Sequence, residues 1–92
     1  MKMLKTFSIT ISGKVQGVFF RHSTKEKAIE LDIKGEVKNL PDERVLIIAT
    51  GTAEQTEQLI EWCKQGPSKA KVTNVMVEEM TLKLFEKFNI AR

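Results

Sequence analysis

The chain has 92 residues, 41% hydrophobic and 29% charged, with a formal net charge of +3 and a pI near 9.1. That size fits one small domain over residues 1–92. The balance excludes a disordered chain, and no apolar stretch approaches the roughly twenty residues of a membrane helix. The single cysteine, Cys63, excludes an internal disulfide, and the opening Met1-Lys2-Met3-Leu4-Lys5 lacks the apolar core of a secretory signal, so the cytoplasm is the expected setting.

From Lys5 to Ser12, Phe7, Ile9 and Ile11 alternate with Thr6, Ser8, Thr10 and Ser12, which predicts a half-buried strand. A loop bracketed by Gly13 and Gly17 follows. Ser23-Thr24-Lys25-Glu26 has capping-box spacing, so a helix is predicted from Ser23, or from as early as Arg21. Thr24, Ala28 and Leu31 fall on its sheet-facing side. Its end is expected near Asp32, a residue that tolerates the left-handed conformation better than most. Gly35 to Asn39 reads as a short strand, Asn39-Leu40-Pro41-Asp42-Glu43 as a turn, and Arg44 to Thr50 as an apolar, β-branched strand, so these form a hairpin. Gly51 is read as breaking that strand. Thr52-Ala53-Glu54-Gln55 is a second capping box, and Thr56, Leu59, Ile60 and Cys63 continue as a helical stripe that Gly66-Pro67 stops. Cys63 is expected to be packing, Trp62 partly buried beside it, and Glu30, Glu54, Glu57 and Glu61 solvated. Lys71 to Met80 is a fourth strand, and a short tail strand is placed within Phe85 to Ile90. The order βαββαβ plus a tail predicts an α+β, ferredoxin-like split βαβ sandwich, an antiparallel sheet with two helices on one face.

Residues 13 to 21 carry the chemistry: Gly-Lys-Val-Gln-Gly-Val-Phe-Phe-Arg. Glycines at 13 and 17 allow a backbone that turns several N–H groups to one concave side, a nest that attracts an anion. Arg21 adds a permanently charged fork that matches phosphate oxygens, and the positive end of the following helix points the same way. Gly-x-x-x-Gly by itself is ordinary turn spacing. The whole string is far more specific.

That string resembles the signature of the acylphosphatase family, Gly-x-Val-Gln-Gly-Val-x-Phe-Arg, at every defined position. Gly35-Glu36-Val37-Lys38-Asn39 resembles the family's second motif, and Gly66-Pro67-Ser68-Lys69-Ala70-Lys71-Val72 its Gly-Pro-x-x-Ala-x-Val before the fourth strand. The resemblance implies hydrolysis of acyl phosphates to a carboxylate and inorganic phosphate. It also implies the roles: the loop amides of Gln16, Gly17, Val18 and Phe19 hold the phosphate, Arg21 binds it, and Asn39 positions the attacking water. Two positions depart from the family pattern. Glu36 stands where an aromatic is common, on the strand face opposite Val37 and Asn39, where packing rather than chemistry is affected. Glu43 stands where the turn usually has Gly, which costs roughly 1 kcal/mol or shifts the turn and Asn39 with it.

The chemistry suits these residues. An acyl phosphate has a good carboxylate leaving group, so catalysis can rest on placing water in line and stabilising the equatorial oxygens. An amide offers both a donor and an acceptor for holding water. No metal or other cofactor is expected: the single His and single Cys are far apart in sequence, no ligand spacing is present, and there is no ATP-binding Gly-x-x-x-x-Gly-Lys-Ser/Thr loop. His22 invites a general-base role by its place beside Arg21, but the motif does not define that position. The expected partners are a small acyl phosphate and inorganic phosphate, with no nucleic acid and no membrane; nothing calls for a second subunit, so a monomer is the expectation. The alternative is a non-catalytic ferredoxin-like module that binds an anion or RNA. It lacks the aromatic pair on the central strands on which such modules stack bases, since there is no Tyr, the only Trp lies on a helix, and Phe19 and Phe20 lie beside the loop.

Overall fold

In the computed structural model, which describes residues 3–91, the elements follow the predicted order: β1 (Lys5–Lys14), α1 (Phe20–Glu30), β2 (Lys34–Asn39), β3 (Val45–Gly51), α2 (Ala53–Cys63), β4 (Lys71–Met80) and β5 (Phe88–Ile90). Met1, Lys2 and Arg92 lie outside the described residues, and with them part of the signal reading and the two ends of the 1–92 domain. The strands form one sheet in the order β4-β1-β3-β2-β5, and both helices pack on the face that presents Ile9, Ile11, Val37 and Ile47. Among the described residues no helix is long and apolar enough to cross a membrane.

The first four strands are antiparallel to their neighbours, but β5 pairs parallel with β2, Gly35 opposite Phe88 and Val37 opposite Ile90. The expectation of a wholly antiparallel sheet is therefore corrected to a mixed one. The reason is topological. β4 ends at Met80 opposite Thr6, near the start of β1, so the returning chain must run in the direction of β1 and β2. Residues 81–87 carry it from one sheet edge to the other. They are pinned midway, where the Lys83 amide donates to Thr6 Oγ1 at 2.9 Å and Thr50 Oγ1 donates to the Lys83 carbonyl at 2.6 Å. The polar row of β1 is thus not uniformly solvated: Thr6 and Thr50 are buried as a hydrogen-bonded pair.

Three element boundaries differ from the sequence reading. β1 extends through Gly13 and Lys14, which pair with Val72 and Lys71 after a bulge at Ser12/Gly13. Gly13 is needed there because its φ is 122° and a Cβ would run into the Lys71 carbonyl oxygen, so it serves the strand rather than the loop. Gly51 is the last residue of β3, paired with Lys5, rather than a break in it. α1 begins at Phe20, not at a Ser23 cap; the Ser23 amide already donates to the Phe19 carbonyl at 2.9 Å. Phe20 is buried, with its ring centroid 5.6 Å from that of Trp62. Burying a Phe side chain is worth roughly 1.5–3 kcal/mol, against about 1 kcal/mol for a cap, so packing sets the helix start.

Other local readings hold. Asp32 takes a left-handed φ of 59°, and its amide and that of Ile33 return to the Ile29 and Ala28 carbonyls at 3.1 and 2.8 Å, closing α1 as a Schellman turn. Thr52 and Gln55 form the reciprocal capping box of α2. Cys63 is fully buried, and burial pushes its thiol from 9.0 up to about 12. In the unfolded chain the thiol ionises near its ordinary value. This group therefore adds stability below about pH 9 that is lost as pH rises from there toward about 12. At pH 8 a disulfide reagent is expected to modify Cys63 only at the rate of global unfolding, and at once in denaturant. Rapid labelling of the native protein would contradict this burial.

Candidate active site

β1 and β2 run in the same direction with β3 between them. Val45 pairs with both Ile11 and Asn39, so these three residues form one row across the sheet. Strand spacing puts Asn39 about 10 Å from β1, so direct pairing of the two strands is not what brings the site together. The loop after β1 and the end of β2 nevertheless open on one pocket of about 640 Å³, lined by Val15, Gln16, Gly17, Phe19, Phe20, Arg21, His22, Asn39 and Ile90.

A side chain bridges the gap. Gln16 Nε2 donates to the carbonyls of Leu40 and Arg44, both at 2.9 Å, and so ties the loop to both arms of the β2–β3 turn just beyond Asn39. The sequence reading assigned Gln16 only a backbone amide and missed this clamp. The available signal was an amide side chain, able to donate twice, in an otherwise apolar and glycine-rich stretch. Glu43 does not shift the turn. It takes the left-handed position itself at φ 74°, the Leu40 amide donates to the Arg44 carbonyl at 2.8 Å, and Asn39 stays opposite Val45. Asp42 adds a contact to Arg44 Nε at 2.7 Å. Glu36 lies, as expected, on the sheet face opposite buried Val37.

The loop has the backbone of an anion nest. Gly17 and Phe19 have φ of 73° and 62°, and Val18 between them does not share the positive sign. Alternating handedness of this kind turns successive N–H groups toward one point. No acceptor among the described residues takes the amides of Gly17, Val18 or Phe19, and the first turn of α1 adds the free N–H groups of any helix start. A Cβ on Gly17 would meet nothing within 4 Å, so glycine is needed there for φ and not for space inside the protein. The Val18 side chain turns into the core.

The electrostatics are one-sided. No carboxylate lines the pocket, α1 has no acidic residue in its first turn, and among the described residues none lies within 4 Å of the Arg21 guanidinium. A cation, a nest and a helix start are left facing the same opening without a protein counter-ion. Asn39 Oδ1 is buried on this pocket with no hydrogen-bond partner among the described residues. A buried acceptor without a donor costs about 1–3 kcal/mol, so the packing of the described residues does not account for an amide oxygen here. His22 also lines the pocket, but its side chain is largely solvated and its Nε2 lies 3.8 Å from Glu26 one turn on, which fits a surface pair rather than a base. Among the described residues no group of three or more His, Cys, Asp or Glu side chains is arranged to hold a metal. Ile90, from the tail strand, is a pocket residue the sequence reading did not find.

Comparisons with known proteins match nearly the whole chain. A family model described as Acylphosphatase matches residues 7–90. The acylphosphatase of Acaryochloris marina is 52% identical over 82 residues, covering 89% of this chain and 88% of that protein. The structure of an acylphosphatase from Coxiella burnetii superposes with a TM-score of 0.93 at 41% identity, covering 96% of this chain and 93% of the other. That of the Bacillus subtilis acylphosphatase does so with a TM-score of 0.93 at 35% identity, over 98% and 100% of the two chains.

Proposed function

The chain belongs to the acylphosphatase family, and from that premise we propose how its own residues carry out the hydrolysis of an acyl phosphate to a carboxylate and inorganic phosphate. The amides of Gln16, Gly17, Val18 and Phe19 and the Arg21 guanidinium hold the three equatorial phosphoryl oxygens. Asn39 Oδ1 accepts one hydrogen of the attacking water and fixes its oxygen in line with the scissile bond. The water oxygen bonds to phosphorus as the bond from phosphorus to the acyl oxygen breaks. The carboxylate leaves with that electron pair, and the proton of the water passes to a phosphoryl oxygen. Arg21 and the loop amides stabilise the charge on the equatorial oxygens throughout, which supplies the positive field without a metal ion. The observation that carries this reading is the pairing of an unopposed cation with an orphaned buried acceptor in one pocket.

All of these groups come from one chain, so a monomer is the proposed active unit, with residues 1–92 as its single domain. The one cysteine is buried and unpaired, in keeping with a cytoplasmic enzyme. Hydrolysis of benzoyl phosphate is expected with and without a chelator. Inorganic phosphate is expected to inhibit competitively and to raise the melting temperature, since it fills the nest. Activity abolished by chelation and restored by a divalent ion would overturn the metal-free mechanism, and an unchanged melting temperature in millimolar phosphate would overturn the loop assignment.

Gln16 is a positioning residue in this scheme. Gln16→Ala removes the clamp while leaving the turn's own Leu40–Arg44 hydrogen bond in place. Stability is expected to fall by about 1–2 kcal/mol for the two lost bonds. Turnover should fall roughly tenfold with phosphate inhibition little changed, because misplacing the water costs rate rather than phosphate affinity. An unchanged kcat in the folded variant would reduce Gln16 to a purely structural role.

A further inference from the structure

The phosphoryl group accounts for one pole of the pocket and leaves the acyl group unread. Two exposed apolar side chains line the same pocket, Phe19 and Ile90, at 74% and 38% exposure. Phe19 is anomalous twice. It adopts φ 62°, ψ 23°, a left-handed conformation that disfavours a bulky side chain, and it occupies the cap position of α1 without contributing a side-chain cap. Asn or Gly would suit that backbone better, and an exposed ring makes little contribution to the core. Neither folding nor packing explains a phenylalanine here. It also stands at the undefined position of the Gly-x-Val-Gln-Gly-Val-x-Phe-Arg string, so holding the phosphate does not require it.

Building on the phosphoryl site above, we propose that the Phe19 ring is the surface on which the acyl group of the substrate lies, and that it favours acyl phosphates with an aromatic or extended apolar acyl group over acetyl phosphate. Ile90 pairs with Val37 on β2, the strand whose end carries Asn39, and so stands on the side of the attacking water. In-line displacement puts the leaving carboxylate on the opposite side of phosphorus. The loop that grips the phosphoryl oxygens carries Phe19, so its exposed ring borders the phosphoryl site and is the apolar surface left for the departing group. An aromatic acyl group stacks on it; a methyl group covers little of it.

The test compares kcat and KM for benzoyl phosphate and acetyl phosphate in the unaltered enzyme, Phe19→Asn and Phe19→Leu, with inhibition by inorganic phosphate measured on each. Asn accepts the left-handed backbone, so the loop is kept while the ring is removed. For Phe19→Asn, the ratio of kcat/KM for benzoyl phosphate to that for acetyl phosphate is expected to fall roughly tenfold, mainly through the KM for benzoyl phosphate. Phe19→Leu should recover part of the preference. A parallel loss on both substrates, which leaves the ratio unchanged, would overturn the assignment. Turnover of acetyl phosphate by the unaltered enzyme tests the phosphoryl site by itself, so failure there is separable from failure of the Phe19 assignment.

Discussion

Arg21→Ala is expected to lose both phosphate binding and turnover, with kcat/KM down about a thousandfold or more. The guanidinium is the one cationic side chain that lines the pocket with no carboxylate within 4 Å among the described residues, so its field is not already spent on a protein partner. In the proposed mechanism it faces the phosphoryl oxygens in both ground and transition states, so affinity and rate fall together. Arg21→Lys should restore little, because an ammonium is a point charge and cannot donate two parallel hydrogen bonds to neighbouring oxygens. The fold should survive either change, since no ion pair holds Arg21 in place among the described residues and α1 is anchored by Phe20, Thr24 and Ala28. Steady-state hydrolysis and phosphate inhibition, with circular dichroism as the check on folding, decide the matter. A folded Arg21→Ala protein that binds phosphate normally would place the phosphate elsewhere.

Asn39→Ala should separate the two functions that Arg21 joins. The nest and the guanidinium remain, so phosphate should inhibit with near-normal affinity, while kcat falls about a hundredfold or more as the water loses its orientation. Stability should hold or rise slightly, because the variant removes a buried carbonyl oxygen that has no partner within the protein. That combination, a dead enzyme that is no less stable and still binds product, is what a residue retained for chemistry at a cost to the fold predicts. Retention of most of the turnover in a folded Asn39→Ala protein would remove the water-positioning role. Asn39→Asp is a useful companion: it keeps the acceptor but puts a negative charge beside the phosphoryl group, and both affinity and rate should fall.

Much of the fold is legible locally. β1 and β3 declare themselves by alternation and β-branching, α2 by a capping box that forms as read, and the end of α1 by an Asp that tolerates the left-handed turn. These succeed because each rests on neighbours a few residues apart. The start of α1 fails for the opposite reason. Ser23 and Glu26 have the spacing of a cap, but the burial of Phe20 beside Trp62, a residue far along the chain, outweighs it. Gly13 is misassigned to the loop because the strand that presses on it, β4, is remote in sequence.

The sequence by itself determined the order of elements and the family resemblance that singles out the loop, Arg21 and Asn39 as the residues to examine, because a motif is a statement about neighbouring residues and their chemistry. Only the tertiary structure decided how those residues meet. β3 intervenes between the two strands that carry them, and the Gln16 side chain spans the distance to the turn. The same holds for β5, whose parallel direction follows from the end of the sheet at which β4 stops, and for Thr6, whose hydroxyl reads as solvated until the Lys83 backbone crosses above it. Each depends on which surfaces are brought together when the core closes, a property of the packed chain that no local window contains.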